Sequence, residues 1–161
     1  MRALIVQSES FLLKLLTDKF RKENYEVIGC TNGLDAMNLF METSPDLVIT
    51  DLQLPFVGGL ELIQFIRNKK NSPVPIIVLS NSTVEEKILS SIELGANDFV
   101  EKPFRVNELV LRAKKVLISN ENNSFTMQSK ASSFFSTSQN VDFFQTKPKR
   151  VLEFDMRALY N

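Results

Sequence analysis

Histidine is missing from all 161 residues. The chain therefore carries no phosphohistidine, no imidazole base and no His-ligated zinc. Hydrolases built on a Ser-His or Cys-His pair are excluded with it. Cysteine occurs once, at Cys30, which rules out an internal disulfide and an all-thiolate zinc site and leaves the redox compartment open. No apolar run approaches the roughly 18 residues of a spanning helix. The opening Met1-Arg2-Ala3-Leu4-Ile5-Val6 is too short an apolar stretch for a signal peptide and enters a strand pattern at once. Neither sign of charge is in excess, since 19 basic residues balance 19 acidic ones. That balance gives no general attraction to nucleic acid or to anionic membranes. The expectation is a soluble, cytoplasmic protein with neither nucleic acid nor membrane among its partners.

What is present is 43% apolar, enough for a core of ordinary size, and it comes as short apolar runs alternating with helical patterns. Leu4-Ile5-Val6 reads as a buried strand. Phe11, Leu12, Leu15, Leu16 and Phe20 then recur at helical spacing, with Ser8 or Ser10 as the N-cap. Strands follow at Glu26–Cys30, Asp46–Thr50, Pro75–Ser80 and Asp98–Val100. Helices fall between and after them, at Leu34–Met41, Leu60–Asn68, Val84–Leu94 (stopped by Gly95) and Val106–Leu117. Strongly apolar strands alternating with helices predict a parallel sheet covered on both faces. In such a sheet polar chemistry gathers at the carboxyl edge, where strands end and loops begin.

Composition changes after Ile118. Residues 119–140 contain no Leu, Ile or Val and are dominated by Ser, Asn, Thr and Gln, so a domain over 1–118 followed by a linker and short tail over 119–161 is expected. Phe125, Phe134, Phe135, Phe143 and Phe144 are unusual for a pure spacer, and Arg150–Phe154 is expected to form a strand or one helical turn. At 43 residues the tail is too short for a typical winged helix. Lys147, Lys149 and Arg150 read as a solvated charge run.

Three residues converge on the predicted carboxyl edge. The third strand delivers Asp51, followed by Gly58-Gly59. Ser80 ends the fourth strand with a hydroxyl, and Lys102 follows the fifth with a cation. Pro103 comes next, where a cis peptide would aim the lysine inward. Singly, these are a loop-capping Asp, a turn Ser and a solvated Lys. Together they are an anionic acceptor flanked by a hydrogen-bond donor and a positive charge, which a tetrahedral phosphoryl group on a carboxylate requires.

The runs that carry them resemble receiver domains of response regulators. Pro45–Pro55 resembles the phospho-acceptor strand, Pro75–Ser80 the following strand, and Gly95–Phe104 the segment bearing the lysine. The resemblance covers residues 2 to about 118 in the family's order. It implies an α/β, flavodoxin-like, doubly wound fold: a five-stranded parallel sheet of order 2-1-3-4-5 with five helices. It further implies that Asp51 accepts a phosphoryl group from a sensor histidine kinase or phosphotransfer protein. Ser80 and Lys102 would contact that group, Ser80 and Phe99 would form the switch, and a downstream protein target would read it. The chain would be no enzyme in its own right. The implied signalling surface is the fourth helix, fifth strand and fifth helix, where Asp98 and Arg112 are candidates for charge pairs in a homodimer.

One departure bears on the metal. The family places two acids after the first strand, and with the acceptor Asp and a backbone carbonyl, here that of Gln53, they hold Mg²⁺. This chain has Gln7-Ser8 there, neutral oxygens where a hard cation wants anionic ones. Glu9 is the candidate compensating acid, and Ser8 otherwise serves only to cap the first helix. Mg²⁺ is expected to bind weakly or not at all. Two readings follow: a phosphorylatable response regulator with a degraded metal site, or a pseudo-receiver that binds partners and signals without phosphate. A metal-dependent phosphatase on a similar fold is disfavoured by the same Gln7-Ser8.

Overall fold

The structure, a computed structural model, describes residues 1–69, 72–81 and 85–135, and the side chains of these apart from 85, 86 and 121–135. The expected alternation is present throughout. The strands are β1 (Arg2–Val6), β2 (Glu26–Cys30), β3 (Leu47–Asp51), β4 (Ile76–Ser80) and β5 (Asp98–Glu101). The helices are α1 (Ser10–Lys22), α2 (Gly33–Thr43), α3 (Gly59–Asn68), α4 (Glu85–Glu93) and α5 (Val106–Phe135). All strand pairs are parallel, in the order β2-β1-β3-β4-β5. The Arg150–Phe154 element, the basic residues at 147–150, Phe143 and Phe144 lie outside the described residues.

Alternate residues of each strand feed two separate cores, as the period of two requires. Ala3, Ile5, Leu47, Ile49, Ile77 and Leu79 meet Leu16 and Phe20 of α1 and Leu109, Ala113 and Leu117 of α5. Leu4, Val6, Val48, Ile76 and Val78 meet Ala36 and Phe40 of α2 and Leu62, Ile63 and Ile66 of α3. Fully burying each of these larger side chains contributes about 1.5–3 kcal/mol. Because β3 and β4 are covered on both sides, each is buried along its whole length.

Three expectations are corrected. Phe11, counted among the apolar residues recurring at helical spacing along α1, is 82% exposed. The helix turns Leu12, Leu13, Leu16 and Phe20 to the sheet instead. Neither Ser8 nor Ser10 caps that helix; the cap is Glu9, with no side-chain bond, and its own N–H donates to Gln7 Oε1 at 3.3 Å. The last helix was expected to stop at Leu117 and continues to Phe135. Residues 106–135 contain neither Pro nor Gly, and once a helix is nucleated each further residue adds a hydrogen bond.

Candidate functional site

The carboxyl edge is set by strand register. Asp51 is the last residue of β3 and stands opposite Leu79 of β4. Ser80, one residue further along β4, stands opposite Glu101 of β5. Lys102 follows at once, and its N–H donates to the Ser80 carbonyl at 2.9 Å. Gln7 leaves the end of β1, its N–H donating to the Cys30 carbonyl at 3.0 Å. Four elements thus bring Gln7, Asp51, Ser80 and Lys102 to one edge, and all but Lys102 are buried.

Asp51 is 4% exposed. Its Oδ2 receives Lys102 Nζ at 2.8 Å, and only 9% of the lysine side chain is exposed. The ammonium also donates to Gln7 Oε1 at 3.3 Å and lies 3.6 Å from Glu9 Oε1. The ammonium thus makes two hydrogen bonds and one longer ionic contact. Asp51 Oδ1 accepts weakly from the Gln53 N–H at 3.5 Å, the outer limit of a hydrogen bond. The Lys102–Pro103 peptide is cis.

The loop after Asp51 closes tightly over the strand end. The Gly59 N–H donates to the Leu52 carbonyl at 3.0 Å. A Cβ on Gly59 would come within 2.3 Å of the Asp51 carbonyl oxygen, so only glycine lets α3 begin this close to the acceptor strand. Glu61 Oε2 reaches back to accept the Gly58 N–H at 2.9 Å, satisfying one of the unpaired amides at that helix start.

The residues expected at the site are placed with differing intimacy. Asp51 and Lys102 are in direct contact, while Ser80 lies on the neighbouring strand, 1% exposed. Phe99, on β5, is partly buried against the α2–α3 side core. Ser8 is exposed. Glu9 approaches the lysine and is 63% exposed on its side chain. Asp98 and Arg112 are joined within this chain, at 3.1 Å. What the sequence left unseen is the depth of Gln7: its side chain is wholly buried, and its Nε2 has no hydrogen-bond partner among the described residues. A buried donor left unpaired costs about 1–3 kcal/mol. The signal available in the sequence was the position itself, an amide where the resemblance leads one to expect an acid. The lone thiol, Cys30, is no second nucleophile, since burial pushes it up to about 11.

Mg²⁺ suits this donor set poorly. Among the described residues Asp51 is the one buried carboxylate, and an ammonium already occupies its Oδ2 and the Gln7 Oε1. Among the described residues no three His, Cys, Asp or Glu side chains converge as metal ligands. A small hard cation that surrenders its water reluctantly finds few anionic oxygens here.

Residues 3–114 match the response regulator receiver domain family. Among solved structures, a putative response regulator from Chloroflexus aurantiacus is 30% identical, with a TM-score of 0.68 over 73% of this chain and 97% of that one. The receiver domain of a sensor histidine kinase from Pseudomonas aeruginosa, described with a magnesium ion coordinated in its active-site cleft, is 24% identical with a TM-score of 0.66, over 72% of this chain and 96% of that one. A chemotaxis response regulator of Vibrio cholerae is 23% identical with a TM-score of 0.67, over 71% of this chain and 97% of that one.

Proposed function

The chain belongs to the response regulator receiver domain family, and from that premise we propose that Asp51 accepts a phosphoryl group from the phosphohistidine of a sensor histidine kinase or phosphotransfer protein. The observation that carries this reading is the buried Asp51–Lys102 contact at 2.8 Å. A carboxylate held in this way at the sheet edge is oriented for attack and has a fixed positive charge beside it. The phosphorus–nitrogen bond of the donor breaks as a phosphorus–oxygen bond to Asp51 forms, and the departing imidazole keeps the bonding pair. Oδ1 is the attacking oxygen, because Oδ2 is engaged by Lys102. Lys102 offsets part of the charge that accumulates on the phosphoryl oxygens. Ser80 serves as the hydroxyl that follows the new group, and Phe99 as the aromatic that repacks with it.

Such a change would bias an existing equilibrium at the face formed by α4, β5 and α5. Leu89, Ile92 and Leu111 are 57%, 52% and 68% exposed on those helices, an apolar surface suited to a downstream protein target. Because Asp98 and Arg112 pair internally, a homodimer through this face would rely on those apolar residues.

The test is incubation of the full chain with acetyl phosphate, followed by intact-mass measurement. The wild type gains one phosphoryl group and Asp51→Asn gains none. Equal labelling of the two would overturn the assignment. The pseudo-receiver reading is supported by one feature, the amide and hydroxyl at Gln7-Ser8, and it prevails if the wild type stays unlabelled by acetyl phosphate and by a phosphohistidine donor alike.

A further inference from the structure

Gln7 Nε2 takes no part in the transfer described above, and its surroundings say what it is for. Two donors converge on Gln7 Oε1: Lys102 Nζ at 3.3 Å and the Glu9 N–H at 3.3 Å. Together they fix which end of the amide is oxygen, since the flipped amide would set its own N–H against an ammonium and a backbone N–H. Amide bond lengths then place Nε2 about 2.2 Å from Oε1. It is a donor with two hydrogens, on a side chain that is 0% exposed, and it meets no acceptor among the described residues. Buried polar atoms without a partner call for an explanation, and a bound ligand is one. The adjoining groups are a lysine ammonium and the carboxylate it holds at 2.8 Å. An amide donor beside an ammonium matches the chemistry of an oxyanion, which offers acceptor oxygens to both.

We propose that Gln7 Nε2 and Lys102 Nζ together form an oxyanion site that binds the oxygens of the phosphoryl group on Asp51 without a divalent cation. The inference rests on the Asp51 reading for the position of that group and adds the means by which it is held. An acid at position 7 would repel phosphoryl oxygens and would need a metal to bridge them. An amide donates to them directly. Gln7 moves no proton and breaks no bond; it contributes a fixed dipole where negative charge develops.

The experiment uses the full chain, acetyl phosphate as donor and orthophosphate as bare oxyanion. In EDTA the wild type should be phosphorylated at a rate within about threefold of its rate in Mg²⁺, since a fixed donor pair already supplies what the metal would. Gln7→Glu keeps an oxygen for Lys102 and for the Glu9 N–H but removes the donor. It should slow the EDTA reaction by about 10²-fold, the usual loss for one oxyanion donor. Gln7→Asp with Ser8→Asp should raise Mg²⁺ affinity and make the reaction depend on it. Independently, orthophosphate titrated in EDTA into Asp51→Asn should shift the Gln7 side-chain amide resonances saturably. The corresponding backbone shifts of neighbouring residues should vanish when Gln7→Glu is added. Labelling of the wild type that stops in EDTA overturns the oxyanion site and leaves Asp51 as acceptor. No labelling under either condition, with saturable phosphate binding through Gln7, overturns Asp51 as acceptor and keeps the site. A Gln7 amide that orthophosphate does not move overturns the inference outright.

Discussion

Lys102 serves three oxygens at once, from Asp51, Gln7 and Glu9, and the strongest of these contacts is nearly dry. Side-chain exposures of 9% and 6% for Lys102 and Asp51 put the pair where removing one partner strands the other's charge. Lys102→Ala is therefore expected to destabilise the protein by about 3–5 kcal/mol, because a buried carboxylate is left uncompensated. Adding Asp51→Asn should return most of that loss, since a neutral amide needs no counter-charge. Urea unfolding of the two single variants and the double variant measures the coupling. Simple additivity of the two losses would show that the pair is hydrated in solution and worth little.

At the scale of elements, the edge stays in register because the helices are tied to the loops as well as packed on the sheet. Arg67, near the end of α3, donates to the Gly95 carbonyl at 3.0 and 2.7 Å and to the Ser72 and Val74 carbonyls at 2.9 and 2.8 Å. It also meets Asn97 Oδ1 at 3.0 Å. Five donors in a planar fork are spent on segments that lead into β4 and β5, the strands that end in Ser80 and Glu101. Arg67→Ala should cost about 2 kcal/mol or more by leaving these acceptors unmatched. Arg67→Lys should recover little, having three donors and no fork. Thermal unfolding of the three proteins gives the order, and a lysine variant as stable as the wild type would count against the clamp. Gly59 acts on the same scale. With Asp51's carbonyl oxygen 2.3 Å from where a Cβ would stand, Gly59→Ala must push α3 away from β3. It should lower both stability and Asp51 labelling, and unchanged labelling by intact mass would show that the loop can give.

For the molecule as a whole, the sheet buries its helices through residues that end at Leu117, the last buried side chain among those described. A chain cut after Ile118 is therefore expected to unfold within a few degrees of the full protein and to label at Asp51 at the same rate. A much lower midpoint in calorimetry would mean that residues 119–161 contribute to the fold. No helix among the described residues is long and apolar enough to cross a membrane.

Periodicity by itself determined the alternation of strand and helix, because a strand buried on both faces must be apolar along its length and a helix on its surface must repeat near 3.6. It also determined that Asp51, Ser80 and Lys102 share an edge, since parallel strands joined by crossovers all end on the same side. It misjudged what depends on neighbours. The face of α1 that turns from the sheet, which exposes Phe11, is chosen by packing against β2 and α5 rather than by the helix's own pattern. The end of α5 was set too early, because a polar composition does not stop a helix that lacks Pro and Gly. Only the tertiary structure could decide the state of Gln7. Whether a glutamine is a solvated spacer or a buried donor depends here on Lys102, 95 positions away, whose ammonium donates to Gln7 Oε1 through a contact that no local pattern encodes.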